Sequence, residues 1–183
     1  MTPEVEITAA FWQHLRSDRT VMLGLEASAP TTLRPMTAQL DAEADQGPIW
    51  LFTSSDTALV QALNADDLGI FTFVSKGHDV FATVHGHMTL STDRATIDRL
   101  WNPWVAAWYD GGKEDPSLAL LRFDPTSAEI WRGGFSLLSG LKLLFGGDPK
   151  ASAKNNVAKV SLSRHWSARL RKGCNFFCPY SVG

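Results

Sequence analysis

The sequence predicts a mainly β domain of the α+β class, a small antiparallel barrel flanked by short helices. Five to seven short segments are apolar and β-branched, and each is followed by a turn signal, a spacing that suits an antiparallel barrel rather than a βαβ sheet. Residues 1–162 contain no internal repeat and no linker that would split them. They are read as one domain, and residues 163–183 as a basic tail outside the fold.

The elements follow in chain order. Residues 4–17 have the spacing of an amphipathic helix, with Val5, Phe11, Trp12 and Leu15 on one side. The period then changes, and Thr20 to Ala27 and Thr31 to Leu40 read as strands turned at Ala29-Pro30. Asp45-Gln46-Gly47-Pro48 marks the next turn, and Ile49 to Thr53 a third strand. Thr57 to Leu63 suits a short helix with Asp56 as its N-cap and Leu59, Val60 and Leu63 facing inward. Leu68 to Val74 and Asp79 to Leu90 form a pair of strands around Lys76-Gly77-His78-Asp79.

Thr92 to Leu100 suits a helix, and the aromatic-dense stretch Trp101 to Asp110, interrupted by Pro103, a helical turn or loop. Ser117 to Asp124 and Ser127 to Trp131 read as two strands joined at Asp124-Pro125. Leu137 to Phe145 reads as a short apolar helix stopped by Gly146-Gly147-Asp148-Pro149. Val157 to Leu162 reads as a last edge strand after a mobile stretch, Ala151 to Asn156.

Composition narrows the class of protein. A chain of 183 residues with 44% hydrophobic and 20% charged content is an ordinary globular one. No apolar run approaches the ~18 residues that span a bilayer, and the start carries acids where a signal peptide needs basic residues. A cytoplasmic protein with no membrane partner is expected. The net charge of −2 advertises no nucleic-acid surface. It hides an asymmetry: of 17 basic and 19 acidic residues, Arg164, Arg169, Arg171 and Lys172 lie in the tail with no acid, leaving the tail at +4 and the first 162 residues at −6. Both cysteines, Cys174 and Cys178, are in the tail, which reads either as a functional basic appendage or as sequence foreign to the domain. Two cysteines give little support for zinc, and no metal site is expected.

The strong catalytic motifs are missing: no Gly-x-Gly-x-x-Gly after a strand, no Walker loop, no His-Glu-x-x-His and no Gly-x-Ser-x-Gly. His85 and His87 share one face of a strand, as half of a metal or haem site or as two ordinary strand histidines. Seven tryptophans are many for this length, and most are expected in the core or an interface. The informative stretch joins Arg34-Pro35-Met36-Thr37-Ala38-Gln39 on one strand to Trp50-Leu51-Phe52-Thr53-Ser54-Ser55-Asp56-Thr57, which leaves another strand and enters a helix. Hydroxyls and unpaired N–H groups at a helix start suit an anion, and Arg34 can add a charge-assisted bond. The same residues would also make a capped strand-to-helix turn beside an ordinary surface arginine.

With these segments in this order, the chain resembles the general stress protein 26 branch of the pyridoxamine 5'-phosphate oxidase-like, FMN-binding split barrels. The resemblance runs from Phe11 to Leu162. It includes Asp18 to Leu23, Arg34 to Gln39, Phe52 to Ser55, Gly111-Gly112-Lys113-Glu114-Asp115-Pro116 after Trp108-Tyr109, Ala128 to Trp131 and Gly147 to Ala151. It implies an antiparallel six-stranded split β-barrel with flanking short helices, and a homodimer with flavin at the subunit interface. Arg34, Pro35, Met36 and Thr37 would then meet the flavin ring. Phe52 would flank the same site, and Thr53, Ser54, Ser55 and Thr57 would hold the ribityl chain and phosphate. Trp131 would pack near the flavin from the other subunit. The cofactor implied is FMN, with FAD as an alternative, and no residue is marked as catalytic.

The departures are as telling. True pyridoxamine phosphate oxidases carry an Arg-x-His-x-Arg substrate motif where this chain has Leu137-Leu138-Ser139-Gly140-Leu141. A phosphorylated pyridoxamine would lose charge-assisted partners worth on the order of 1.5–3 kcal/mol each. Ala58 and Leu59 replace an Arg and a Lys of the oxidases, and Gln39 replaces another Lys. The expectation is a flavin-binding general stress protein, at most a low-specificity flavin-dependent oxidoreductase without pyridoxamine-phosphate oxidase activity. The alternative is a flavin carrier or sensor that performs no turnover.

Overall fold

A computed structural model describes residues 2–26, 32–41, 46–65, 67–133 and 157–162. The turn at Ala29-Pro30, the helix expected over Leu137 to Phe145 with its stop signal, the stretch 151–156 and the tail all lie outside the described residues.

The first helix, α1 (Pro3–Asp18), starts on a proline that fits the first helical turn and carries Glu4 and Glu6 where the helix dipole favours anions. Ile7, Phe11, Trp12 and Leu15 bury one stripe of it against the sheet. Val5, expected on that stripe, is half exposed, because the inward register runs through Ile7 instead. Arg19 ends the helix in the left-handed region (φ 58°) and donates its N–H to the Leu15 carbonyl, which swings the chain into the first strand.

Seven strands follow among the described residues: β1 (Thr20–Leu25), β2 (Arg34–Thr37), β3 (Ile49–Ser54), β4 (Asp67–Val74), β5 (Val80–Ser91), β6 (Leu118–Arg132) and β7 (Val157–Ser161). All pair antiparallel in the order β2-β1-β4-β5-β6-β3, with β7 added on β6. The expected six strands are the path, and the expected edge strand is the seventh. Alternation does the sorting: along β5 every second residue from Val80 to Met88 is buried. The interior so made is filled by Leu23, Phe71, Val84, Phe123 and Ile130, with Phe71 and Phe123 edge to face at 5.1 Å.

Two expected strands are in fact one. Pro125 has no N–H to give a ladder, yet β6 passes through it as a 15-residue strand because β6 bulges there, Thr126 being the extra residue between the pairs Gly86↔Pro125 and His85↔Ser127. The register shifts between His85 and Gly86, Pro125 stands opposite Gly86, and the Thr126 hydroxyl donates to the His85 carbonyl at 3.1 Å. The bulge needs glycine: a Cβ at position 86 would fall 2.4 Å from the Asp124 carbonyl oxygen and 2.7 Å from the Phe123 ring. Its length lets β6 serve two neighbours, β3 along Leu118–Phe123 and β7 along Ser127–Trp131.

Three short helices sit outside the barrel. For α2 (Ala58–Ala62) the cap is Thr57 rather than Asp56, its hydroxyl accepting the Val60 N–H. Asp93 caps α3 (Arg94–Leu100) through the Ala95 N–H at 3.1 Å, and Asn102 caps α4 (Pro103–Ala106) through the N–H groups of Trp104 and Val105. The stretch expected as a helical turn or loop is therefore a capped turn of helix. A second small core under α3 joins Ile97 to Trp50 and Leu120 on the outer face of β3 and β6. No described helix is long and apolar enough to cross a membrane.

Candidate functional site

The barrel is split where β2 faces β3. β2 pairs with β1 from Thr20↔Thr37 to Leu23↔Arg34, and β3 pairs with β6 along its whole length. Between the two, the described residues show a single rung. Gln39 and Trp50 exchange N–H···O bonds of 2.7 and 2.9 Å. Beyond it the strands part around a cleft of about 550 Å³. Arg34, Pro35, Met36 and Thr37 line one wall, Phe52, Thr53 and Ser54 the other with Thr57 beyond them, and Gln39 lies at the closed end of the wedge. Beyond Gln39 one edge of β2 meets no strand among the described residues, so its outward main-chain groups, the carbonyls of Pro35 and Thr37 and the Thr37 N–H, are open to a ligand, while Pro35 has no N–H to offer.

Eight of the ten residues singled out from the sequence thus border one cavity. Ser55 does not line it: its N–H donates to the Ser117 carbonyl and its own carbonyl accepts from Gln61. Trp131 does not line it either. It lies on β6 opposite Phe81 and Val157, four strands from β2 and 13 residues along from Leu118, or about 40 Å of strand.

The hydroxyl turn is built differently from a helix-start cradle. The α2 helix is only five residues long, so it has little dipole to offer. Thr57 spends its one hydroxyl proton on the Ser54 carbonyl (2.9 Å) while capping Val60, so in this arrangement it accepts but does not donate. Thr53 and Ser54 remain as hydroxyl donors, and Arg34, exposed at the cleft wall, is the one cation among the described lining residues.

The third wall was not foreseen. Trp104, Val105, Trp108 and Tyr109 of the α4 segment complete the cleft. Their spacing divides them by face: Val105 and Tyr109 turn inward and are buried, while Trp104 and Trp108, four apart, are each 85% exposed. The Tyr109 hydroxyl donates to the Thr53 carbonyl at 2.7 Å, fastening this segment to the end of β3. Burial pushes its phenol up to about 12, with the Asp115 charge adding to the shift. Asp115 itself is held below the usual carboxylate range by bonds from the Ser117 hydroxyl and from the Gly111 and Ser117 N–H groups. Those bonds shape the turn that leads from Tyr109 into β6. The signal that could have found this wall is the four-residue spacing of Trp104 to Trp108 and of Val105 to Tyr109 just after Pro103.

A wider groove of about 690 Å³ between α1 and β7 is lined by Glu4, Trp12, Arg16 and Lys159 among others, and holds none of the residues singled out from the sequence. On the outer face, the His85 ring lies 3.1 Å from the Glu26 carboxylate, and no group of three metal-ligating side chains occurs among the described residues. The β2–β3 cleft has the chemistry of a small-molecule site: apolar walls from Pro35, Met36, Phe52 and two indoles, with a few polar groups at fixed places. A planar ring with polar edges, joined to a phosphate ester, fits that donor set.

Comparison with known proteins points to the same place. The family described as pyridoxamine 5'-phosphate oxidase like matches residues 6–145. No functionally curated protein matches the chain. Among solved structures, a general stress family protein from Xanthomonas campestris pv. campestris is 53% identical, with a TM-score of 0.69 over 75% of this chain and 94% of that one. The general stress FMN/FAD binding protein of Xanthomonas citri is also 53% identical, with a TM-score of 0.68 over 73% of this chain and 93% of that one. A general stress protein 26 from Jannaschia sp. CCS1 is 30% identical, with a TM-score of 0.70 over 86% and 99% of the two chains. With the family matched across most of the described barrel and relatives this similar over nearly their whole length, the chain belongs to the pyridoxamine 5'-phosphate oxidase-like family.

Proposed function

We propose that this chain is a flavin-binding general stress protein that holds FMN or FAD in the β2–β3 cleft. The observation that carries the reading is the open wedge beyond the Gln39–Trp50 rung, where an unpaired strand edge faces the hydroxyls of Thr53 and Ser54. The name of the Xanthomonas citri relative supports it, since that protein is an FMN/FAD binding protein. A bound flavin supplies two-electron chemistry at its ring, and the protein supplies position and electrostatics. The backbone of Arg34 to Thr37 would border the ring, Thr53 and Ser54 would donate to phosphate oxygens, and Arg34 would offset charge. Among the described residues no side chain in the cleft is placed as a general acid or base at neutral pH, because Tyr109 keeps its proton well beyond that range. A low-specificity oxidoreductase without pyridoxamine-phosphate oxidase activity fits this equipment.

The assembly proposed is a homodimer with flavin at its interface. One outer row of the sheet runs Val74, Phe81, Trp131, Val157 from β4 to β7, and the next rung of the β1–β4 register would carry it on to Thr20 and Thr37 at the cleft. Val74, Phe81 and Val157 on it are large apolar residues left between 37% and 47% exposed. Such a stripe suits a second copy better than water. Trp131, out of reach of its own cleft, would then meet the flavin of the partner subunit.

The test is spectroscopic. Purified protein should carry, or take up on titration, FMN or FAD with the visible flavin absorbance; failure to bind either refutes the proposal. NAD(P)H-dependent reduction of the bound flavin over a panel of acceptors separates an oxidoreductase from the alternative, a flavin carrier or sensor, which would stay silent.

A further inference from the structure

We infer that Trp104 and Trp108 seat a second ring, the adenine of FAD, so that this cleft is a dinucleotide site rather than a mononucleotide one. The inference rests on the flavin reading and deepens it. Three observations converge. The two indoles are each 85% exposed, on one face of the α4 segment, and both border the cleft. A tryptophan left this open in a binding cleft is a stacking surface, and bases stack on indoles whatever their sequence.

Their position is fixed at one end of the cleft. Tyr109, next to Trp108, donates to the Thr53 carbonyl, and Ser117 accepts the Ser55 N–H, so the segment is pinned where β3 gives way to the hydroxyl turn. Thr53 and Ser54 are the groups suited to phosphate oxygens, and the indoles adjoin them. A ring placed there is reached through the phosphate, which is the connectivity of a dinucleotide.

Charge argues the same way. A terminal phosphate monoester carries about −1.5 to −2 at neutral pH, and Arg34 is the one cation among the described lining residues. In the dinucleotide a similar total charge is spread over a pyrophosphate, one charge on each phosphorus, so hydroxyls and main-chain groups meet it at lower local density than a dianionic terminal phosphate.

The experiment titrates the full chain and its Trp104→Ala/Trp108→Ala variant with FMN and with FAD, following bound flavin by fluorescence. The wild type should prefer FAD. The variant should lose about ten-fold or more in FAD affinity, the worth of one stacked base, with a markedly smaller loss for FMN. Trp104→Phe and Trp108→Phe should retain FAD affinity, since each keeps a ring to stack on. Equal losses for both flavins would overturn the inference by making the indoles a wall for the flavin ring. Unchanged affinities, or a variant that binds both flavins normally but changes its sedimentation, would overturn it by making them idle or an interface. A wild type that binds neither flavin fails earlier, at the flavin reading itself.

Discussion

The two sides of this barrel use the same polymer for opposite ends. From β1 through β4 and β5 to β6, each strand has a neighbour on both sides, and Phe71, Phe123, Val84 and Leu23 fill the interior completely. At the β2–β3 side one rung closes the wall, and the chain then leaves its main-chain groups and a half-open cavity unused. Pairing and packing make the first side stable. Withholding them makes the second side a place for a ligand. If that division holds, substitutions on the packed side should change stability and leave flavin affinity alone, and substitutions at the split should do the reverse.

The largest effect is expected from Phe123→Ala. The ring is fully buried, edge-on to Phe71, and packs over both Gly69 and Gly86. Its loss should cost about 3–5 kcal/mol in urea unfolding, while the fraction still folded binds flavin as the wild type does. Loss of flavin affinity in the folded fraction would break the comparison. Gly86→Ala should follow at about 1–3 kcal/mol, since the added methyl collides with the Asp124 carbonyl at the bulge. That cost should be matched by a shift in the same midpoint with an unchanged slope.

How much of this was legible in the sequence depends on the range of the interaction. Strands β4 and β5 could be read from alternation because their neighbours at i and i+2 share a face, and β3 from a short apolar run bounded by turn residues, properties local to each segment. The merging of two strands into β6 was hidden, since Asp124-Pro125 does signal a break. What tolerates it is Gly86, nearly 40 residues away on another strand. The residues of the cleft walls were legible as a group through the resemblance, but their division of labour was not. Thr57 borders the cleft as expected and is also a helix cap whose hydroxyl proton goes to the Ser54 carbonyl, a bond the sequence does not announce. Trp104 and Trp108 read from composition only as candidates for the core or an interface; the inward turn of Val105 and Tyr109 keeps them out of this chain's own core.

Tyr109→Phe sharpens the comparison at its boundary. It should cost about 0.5–1.5 kcal/mol through the lost bond to the Thr53 carbonyl, and loosen the cleft wall that this bond fastens. Flavin affinity should fall with it, unlike for the two packed-side variants. The pH dependence identifies the group. The unfolded phenol titrates near 10 and the folded one near 12, so between those values the unfolded state has lost a proton that the native state keeps. Stability therefore declines as pH rises through that window and is unaffected below it. In Tyr109→Phe that part of the decline should disappear.

The smallest effect is expected at the rung where the two sides meet. Arg122 lies 5.5 Å over the Trp50 ring and bonds both oxygens of Asp124, at 2.7 and 2.8 Å. Trp50 makes the last pair with Gln39 before the strands part, so this cation covers the closed end of the wedge. Arg122→Leu removes both contacts from a partly exposed position and should cost no more than about 1 kcal/mol. The two contributions separate by salt: the carboxylate part weakens as ionic strength rises, while the guanidinium stacked on the indole is less screened. A wild-type minus variant difference that shrinks only in part at high salt, with flavin affinity shifted in the same direction, would mean that the cover on the Gln39–Trp50 rung helps to hold the cleft to its width. If affinity stays fixed while stability moves, the rung belongs wholly to the packed side, and the division between the two runs one residue further along β3 than the pairing alone suggests.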